Sequence, residues 1–488
     1  MSENGKCFGF FRVIMPGITI SNKLDCSALN LQYLCKIFIL LCMTKENVTY
    51  NSKKIITIAY PILISLLMEQ MIGLTDTAFM GRVGEVELGA TAIAGVYYMV
   101  IFMVGLGFSV GAQILIGRRN GEGNYRAIGR VFYQGAFFLL GLAAVLFTLS
   151  QIFSNEILSA MISSPNVLLK AEEYMEWRVY GFFFSFMAAM FRAFFVGTTQ
   201  TKTLTLNSVV MVVSNVVFNY ILIFGKFGCP AFGIAGAAMG SSLAELVSLI
   251  FFIVYTRSRI DYRKYGLDKV EKPDLRELRK ILGISSWIMV QNLISMSTWF
   301  IFFVYIEHLG ERELAITNIV RSLSGFLFMI VLAFASTCSS VVSNLIGAGE
   351  ENQVMAVIRR HVRITYAIVL PIALLMSVLP KLFLAIYTDI PDLIDASVAS
   401  VWVMCSAYLL IVPSNIYFQS VSGTGNTKTA FGLEMMALVI YVAYITVTIL
   451  IMRVDVAIAW SAEAVYAVIM FLLGYRYMKS GKWVGRSI

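Results

Sequence analysis

Five carboxylates stand inside long apolar stretches of this chain: Glu69, Asp76, Glu245, Glu434 and Glu463. An ionisable group surrounded by hydrocarbon is costly, so each is a candidate for binding or moving charge. Asp76 is the most informative. It lies a few residues before the end of the first apolar stretch, and Asn215 and Asn219 lie at a comparable distance from the end of the fifth. Both stretches run the same way across a bilayer, so the three side chains are expected at similar depth. A carboxylate beside two amide oxygens makes a hard oxygen site, suited to a small cation or a proton. Ser241 on the sixth stretch could add a hydroxyl. The plainer alternative is an aspartate near a helix end that pairs with interfacial water or headgroups.

Other polar residues surround this set. Glu69 precedes Asp76 by seven residues, which puts both on one helix face about 10 Å apart. It could extend a proton path from the cation site to a cavity, or hydrogen-bond within the bundle. Tyr174 or Tyr180 on the fourth stretch could reach the same site, or simply pack. Glu245 and Glu434 are either structural or ligands for a cationic substrate, and Gln291 and Asn292 are polar residues of the seventh stretch that could line a cavity. Glu463 carries the least. Pro61 removes one backbone hydrogen bond from the first helix and is a candidate hinge. Catalytic chemistry finds no support: His308 and His361 fall at loops, and no P-loop or zinc motif occurs. The seven cysteines lack metal-ligand spacing, and four of them (Cys7, Cys26, Cys35 and Cys42) crowd the first 42 residues.

The elements that position these residues follow from composition. The 488-residue chain is 58% hydrophobic and 14% charged, with a mean hydropathy of +0.78. That is too little charge to coat a soluble fold, so apolar surface must face lipid. Twelve stretches long enough to span a bilayer begin near Ile55, Leu88, Arg130, Tyr174, Thr203, Phe232, Ile281, Leu314, Val362, Ala396, Thr429 and Val456. Period-two alternation is missing, which argues against a β-barrel. Lys and Arg alternate strongly between connections, with Arg118, Arg119, Arg126, Arg359, Arg360 and the 257–280 connection on one side. The bias places both termini in the cytoplasm. It also accounts for the net charge of +9 without a nucleic-acid partner.

The expected fold is an all-α polytopic membrane protein with 12 transmembrane helices in two parallel six-helix repeats. Residues 53–256 would form the N-lobe, 281–480 the C-lobe and 481–488 a cytoplasmic tail. Between the lobes, Lys272–Arg279 begins at a proline and mixes charge with leucine. It reads as a short amphipathic surface helix, or equally as a solvated linker. Residues 1–52 read as an extension. Leu31–Cys42 is too short to span a membrane, and Met43 opens a polar leader into the first span, which makes Met43 the expected start.

The two halves repeat at an offset of 226 residues. Lys54-Ile55-Ile56 matches Lys280-Ile281-Leu282, and Gly84-Glu85-Val86-Glu87-Leu88 matches Gly310-Glu311-Arg312-Glu313-Leu314. After a four-residue insertion in the eighth span, Ile116-Gly117 matches Ile346-Gly347. At the original offset again, Gly197–Thr203 matches Gly423–Thr429. Each repeat holds an even number of spans, so the halves share one orientation, related by an axis along the membrane normal.

At this point the residues resemble a known family, multidrug and toxic compound extrusion (MATE). Gly73–Gly84 resembles its first-helix signature, the paired Gly-x-x-x-Thr-Lys-Thr segments its loop motif, Asn215-x-x-x-Asn219 its fifth helix and Gly233–Ala238 its sixth. The match covers roughly residues 53–480. The resemblance implies a secondary antiporter of the bacterial inner membrane. Such a protein exports amphiphilic, often cationic, drug-like molecules in exchange for sodium or protons, with no cofactor, as a monomer in the lipid bilayer. In the family, positions on helices one, five and six form a cation site, which maps to Asp76, Asn215, Asn219 and Ser241. Where some relatives carry a second aspartate, this chain has Asn219, and the ion stays open between sodium and proton. Relatives that place acids on helices seven and ten differ from this chain, where those stretches carry Gln291 and Asn292, and Leu410–Pro413. Asp76 is matched in the repeat by Phe302. Coupling is therefore expected in the N-lobe, with apolar and aromatic wall from Trp287, Trp299, Phe300 and Phe303 opposite. A flippase for a lipid-linked precursor is the alternative. It would favour a basic cavity, whereas the midspan cations Arg192 and Arg321 are expected near helix ends. ATP-driven transport and membrane-enzyme readings lack their motifs.

Overall fold

The computed structural model describes residues 49–485. The expected start at Met43 and the rest of residues 1–48 lie outside the described residues. Asn51 opens the first helix, its side chain accepting from the Lys54 amide and satisfying one orphan donor. The first half holds α1 (Ser52–Val83), α2 (Glu85–Gly121), α3 (Tyr125–Met161), α4 (Pro165–Arg178), α5 (Gly181–Gly197), α6 (Lys202–Phe224) and α7 (Gly233–Arg259). The second holds α8 (Leu275–Glu307), α9 (Glu311–Gly347), α10 (Val354–Val378), the short α11 (Pro380–Leu384), α12 (Pro391–Gly423), α13 (Thr427–Ile445), the short α14 (Val456–Ala459) and α15 (Ser461–Lys479). A π-helical turn, Thr446–Ile451, continues α13. Among the described residues, eleven helical spans are long and apolar enough to cross a membrane, with α14 and α15 counted as one. There are twelve when α4 and α5, bent by 53° at their junction, are taken as one span.

The repeat is written into the hydrogen bonds. Thr201 Oγ1 donates to the Ile58 carbonyl across α6 and α1, and Thr427 Oγ1 donates to the Ile284 carbonyl across α13 and α8, both at 2.8 Å. The pairs are 226 residues apart. Each hydroxyl thereby satisfies a neighbouring helix's carbonyl where no water would do so. Large aromatics fill the N-lobe interior (Phe108, Phe182, Phe186, Phe194 and Phe195), while Phe334 and Tyr408 do so in the C-lobe. Many long apolar side chains, such as Val145, Ile152, Val213, Val254 and Val439, point outward, as lipid-facing surface requires.

The lobes meet through α2 against α8 and α9. Gly107 lies against the Met289 backbone and Gly111 against Ser285. Ser285 Oγ donates to the Phe108 carbonyl at 3.0 Å, and Ser343 Oγ to that of Ile114 at 2.6 Å. Asn120 Nδ2 donates to Asn344 Oδ1 at 2.6 Å, and Asn344 Nδ2 to the Gly197 carbonyl at 2.9 Å. Arg360 donates to the Tyr50 carbonyl at 3.3 Å. Burial, helped by Glu350, pushes the Tyr50 hydroxyl up to about 12. Among the described residues these bonds fall in the half of the bundle where α1 begins and α2 and α9 finish.

Two expectations need correction. Lys272–Arg279 does not form a helix of its own. Asp274 caps α8 by accepting from the Arg276 amide at 2.8 Å, and from Leu275 the helix runs unbroken to Glu307. Pro273 stops helix upstream, and nothing between 275 and 307 breaks it downstream. The preceding linker is pinned instead by Gln134, which donates to the Lys272 carbonyl and accepts from the Asp274 amide, both at 2.8 Å. The fourth span starts at Pro165, nine residues before the expected Tyr174, because its first turns are polar and escape a hydropathy reading.

Candidate cation site in the N-lobe

Asp76 sits on α1, half-buried, seven residues before the helix ends. α6 packs alongside and presents Asn215 and Asn219, one turn apart; α7 presents Ser241. Asn219 Nδ2 donates to Asp76 Oδ1 at 2.6 Å and reaches Asn215 Oδ1 at 3.3 Å. Asn215 Nδ2 donates to Ser241 Oγ at 3.2 Å, and Ser241 Oγ lies 3.5 Å from Asp76 Oδ2. The four side chains thus close a ring of hydrogen bonds around one carboxylate. Asn219 is fully buried, yet its Oδ1 has no hydrogen-bond partner. Gly240 makes room for it, since any Cβ there would collide with that oxygen.

The ring opens on a cavity of about 180 Å³ that also meets Tyr98, Tyr174, Arg178 and Glu245. Arg178 and Glu245 form a two-pronged ion pair, with Nη2 to Oε1 at 2.6 Å and Nη1 to Oε2 at 3.0 Å. Tyr98 holds the pair twice. Its hydroxyl is 3.1 Å from both carboxylate oxygens, and its ring lies 3.6 Å from the guanidinium carbon. Two charges buried in this way are tolerable only with such complete pairing. Arg178 also lies within electrostatic range of Asp76. When Asp76 is ionised, the three charges in the cavity sum to minus one.

The other expected residues fall in different places. Tyr174 is buried and lines the cavity. Tyr180 does not. It is exposed and packs at a tilt against Phe147 and Trp177, at 5.1 and 6.2 Å between ring centroids. Six residues at 100° each leave it about 120° around the helix from Tyr174 even before the bend. Glu69 is not a cavity residue either. Its Oε1 accepts from Arg192 at 2.7 Å and from Ser65 Oγ at 3.3 Å. Arg192 is therefore an ion-pair partner within α5. Arg321, on α9, lies 5.7 Å from the Trp299 ring.

In the C-lobe, Gln291 is buried with its Oε1 unpartnered, and Asn292 lies against Gly107 where the lobes touch. Glu434 Oε1 lies 2.5 Å from Ser295 Oγ and 3.3 Å from the Tyr466 hydroxyl, and Glu463 accepts from Tyr441 at 3.2 Å. Phe300 is exposed, while Trp299 and Phe303 pack on each other at 4.6 Å. Pro61 is accommodated inside an unbroken α1, with Thr205 Oγ1 donating to its carbonyl at 3.2 Å. The repeat places Trp287 and Phe431 at those two positions, where their rings meet at a tilt with centroids 5.3 Å apart.

Sequence reasoning missed Arg178 and Tyr98. Arg178 follows Glu172, Glu173 and Glu176 and is easily taken for the charged flank of a span. Its one usable signal was an unmatched Glu245 in an apolar helix, which calls for a buried cation.

The comparisons fit this architecture. The family model described as MatE matches residues 61–221 and 288–450, one segment in each half. A probable multidrug resistance protein NorM from Thermotoga maritima is 22% identical over 91% of this chain and 96% of its own. One of the same description from Agrobacterium fabrum is 27% identical over 76% and 78%. Among solved structures, a MOP superfamily transporter from Pyrococcus furiosus superposes with a TM-score of 0.77 at 17% identity, covering 88% of this chain and 96% of that one. A MATE structure in the bent conformation gives 0.78 at 19% identity, over 88% and 95%. With both repeats matched in order, the chain belongs to the MatE family of membrane transporters.

Proposed function

We propose that this transporter is an antiporter of the bacterial inner membrane that exports amphiphilic, often cationic, drug-like molecules in exchange for sodium or protons, with Asp76 as the coupling carboxylate. The observation that carries this reading is the charge arrangement of the N-lobe cavity. Glu245 and Arg178 neutralise each other, whereas Asp76 is met only by neutral donors. The cavity therefore moves between minus one and zero as Asp76 gains or loses a single cation. A cationic substrate and the coupling ion compete for one negative charge, which is the requirement for exchange.

A proton would sit on Asp76 itself, while a sodium ion would need oxygens from several residues. Asn215, Ser241 and the unpartnered Asn219 Oδ1 supply them once the Asn219 amide turns. The bias of Lys and Arg puts the end where α1 begins in the cytoplasm. With the interlobe bonds at that end, this arrangement is the outward-facing one. A flippase is less favoured, because the cavity has no unpaired basic group.

The test is drug and dye efflux from cells expressing wild type and Asp76→Asn, with the sodium and proton gradients varied separately. Asp76→Asn should lose ion-dependent efflux by about tenfold or more, the scale of a coupling free energy of ~1–3 kcal/mol. Efflux by Asp76→Asn that keeps its ion dependence would remove the assignment.

A further inference from the structure

We propose that Glu434 is a second proton-binding site of this transporter, built into the C-lobe where α8, α13 and α15 meet and independent of the Asp76 ring. The repeat exposes it. Glu69, Ser65 and Ser208 in the N-lobe correspond, at the 226 offset, to Ser295, Gln291 and Glu434 in the C-lobe. Both lobes bond across the same helix junction: Ser65 to Ser208 at 2.8 Å, and Ser295 to Glu434 at 2.5 Å. Each junction carries one carboxylate, on opposite helices. The N-lobe acid is neutralised by Arg192. The position matching Arg192 is Phe418, and among the described residues Glu434 has no cationic partner.

Proton counting gives the second argument. Ser295 Oγ lies 2.9 Å from the Gln291 carbonyl oxygen and 2.5 Å from Glu434 Oε1. A hydroxyl has one proton to give. With Glu434 ionised, one of those two contacts is oxygen against oxygen with nothing between. With Glu434 protonated, it donates to Ser295, and Ser295 donates to the Gln291 carbonyl. Glu434 is only 4% exposed, and its Oε2 has no hydrogen-bond partner. The Gln291 Oε1, one helical turn from Ser295, is buried and unpartnered as well. An ionised carboxylate left this way would be strongly unfavourable, whereas a neutral acid is tolerated.

The ionisable groups around it fit a proton rather than a fixed charge. α15 brings Tyr466, bonded to Glu434, and Glu463, bonded to Tyr441 of α13. α12 brings Tyr408, bonded to Ser324. α8 contributes the neutral Ser295 and Gln291. The one nearby cation on α13, Lys428, lies 5.6 Å from the Trp287 ring, six residues before Glu434. The Tyr441 and Tyr466 rings meet edge to face at 6.0 Å, so the tyrosine partners of the two acids touch ring to ring.

Infrared difference spectra of the full chain in lipid vesicles, between acidic and alkaline buffer, test this. Wild type should show a protonated carboxylic acid band that Glu434→Gln loses and Asp76→Asn retains. Ser295→Ala, which keeps the acid but removes its acceptor, should shift the band. Proton uptake should fall by one per chain in Glu434→Gln. The proposal is overturned if Glu434→Gln keeps the full band, if Ser295→Ala leaves it unmoved, or if sodium at constant pH abolishes it, which would mark a metal-ion site instead.

Discussion

Four carboxylates within the membrane spans are met in four different ways, and their partners dictate what each can do. Asp76 is met by amides and a hydroxyl, Glu69 by Arg192, Glu434 by Ser295 and Tyr466, and Glu245 by Arg178 and Tyr98. Glu245 is the one held in a buried ion pair. Glu245→Gln would leave the Arg178 guanidinium buried with no anion bonded to it, a loss of ~3–5 kcal/mol. Changing both, in Glu245→Gln with Arg178→Gln, removes both desolvation penalties and should recover much of that loss. Thermal unfolding of the purified protein checks the ordering, and a double variant less stable than Glu245→Gln would contradict it. Asp76→Asn should be nearly neutral in the same assay, because an amide can keep the Asn219 and Ser241 contacts. The contrast separates a structural acid from an exchanging one.

At the scale of elements, the break between α4 and α5 creates the cavity. Val179 and Tyr180 interrupt the fourth span, and Gly181 restarts it beside the ion pair. A Cβ at Gly181 would fall on Arg178 Nη1 and Glu245 Oε2. Gly181→Ala should therefore displace a pinned pair rather than a free side chain and cost ~1–3 kcal/mol. A melting temperature equal to wild type would show that the pair can move aside. The matching region of the C-lobe, α12, runs unbroken through Cys405 and Ser406. There Met404 and Phe471 replace Arg178 and Glu245 at the 226 offset, so no charge needs the opening. The sequence made the spans, the repeat and the shared depth of Asp76, Asn215 and Asn219 readable, because hydropathy and helical period are local properties. The break was not readable. A kink leaves hydropathy unchanged, and the Arg178–Glu245 pairing joins residues 67 apart. The proton-binding arrangement at Glu434 was equally hidden, since it depends on what Ser295 touches and not on residue type.

At the scale of the whole molecule, the two lobes are joined at one end, and Asn344 is a polar hub of that junction. Its amide donates to the Gly197 and Ser340 carbonyls at 2.9 and 2.8 Å, and its Oδ1 accepts from Asn120 at 2.6 Å. The helices can come this close because Gly121 lies against the Asn344 carbonyl and Gly347 against that of Arg118. Asn344→Ala would strip the Gly197 carbonyl and the Asn120 amide of a partner while leaving the backbone contact intact. Buried groups orphaned in this way cost ~1–3 kcal/mol, but only in the closed form, because parted lobes admit water to satisfy them. The variant should therefore not unfold. It should shift the population toward parting of the lobes at this end, by roughly 5- to 150-fold. Spin labels at the exposed Asn124 and Asn352, beside the junction, would report a longer distance, and a cysteine in place of Ser343 would gain reactivity toward aqueous reagents. Unchanged distances would mean that the glycine contacts alone hold the lobes, and the polar bonds only set their register.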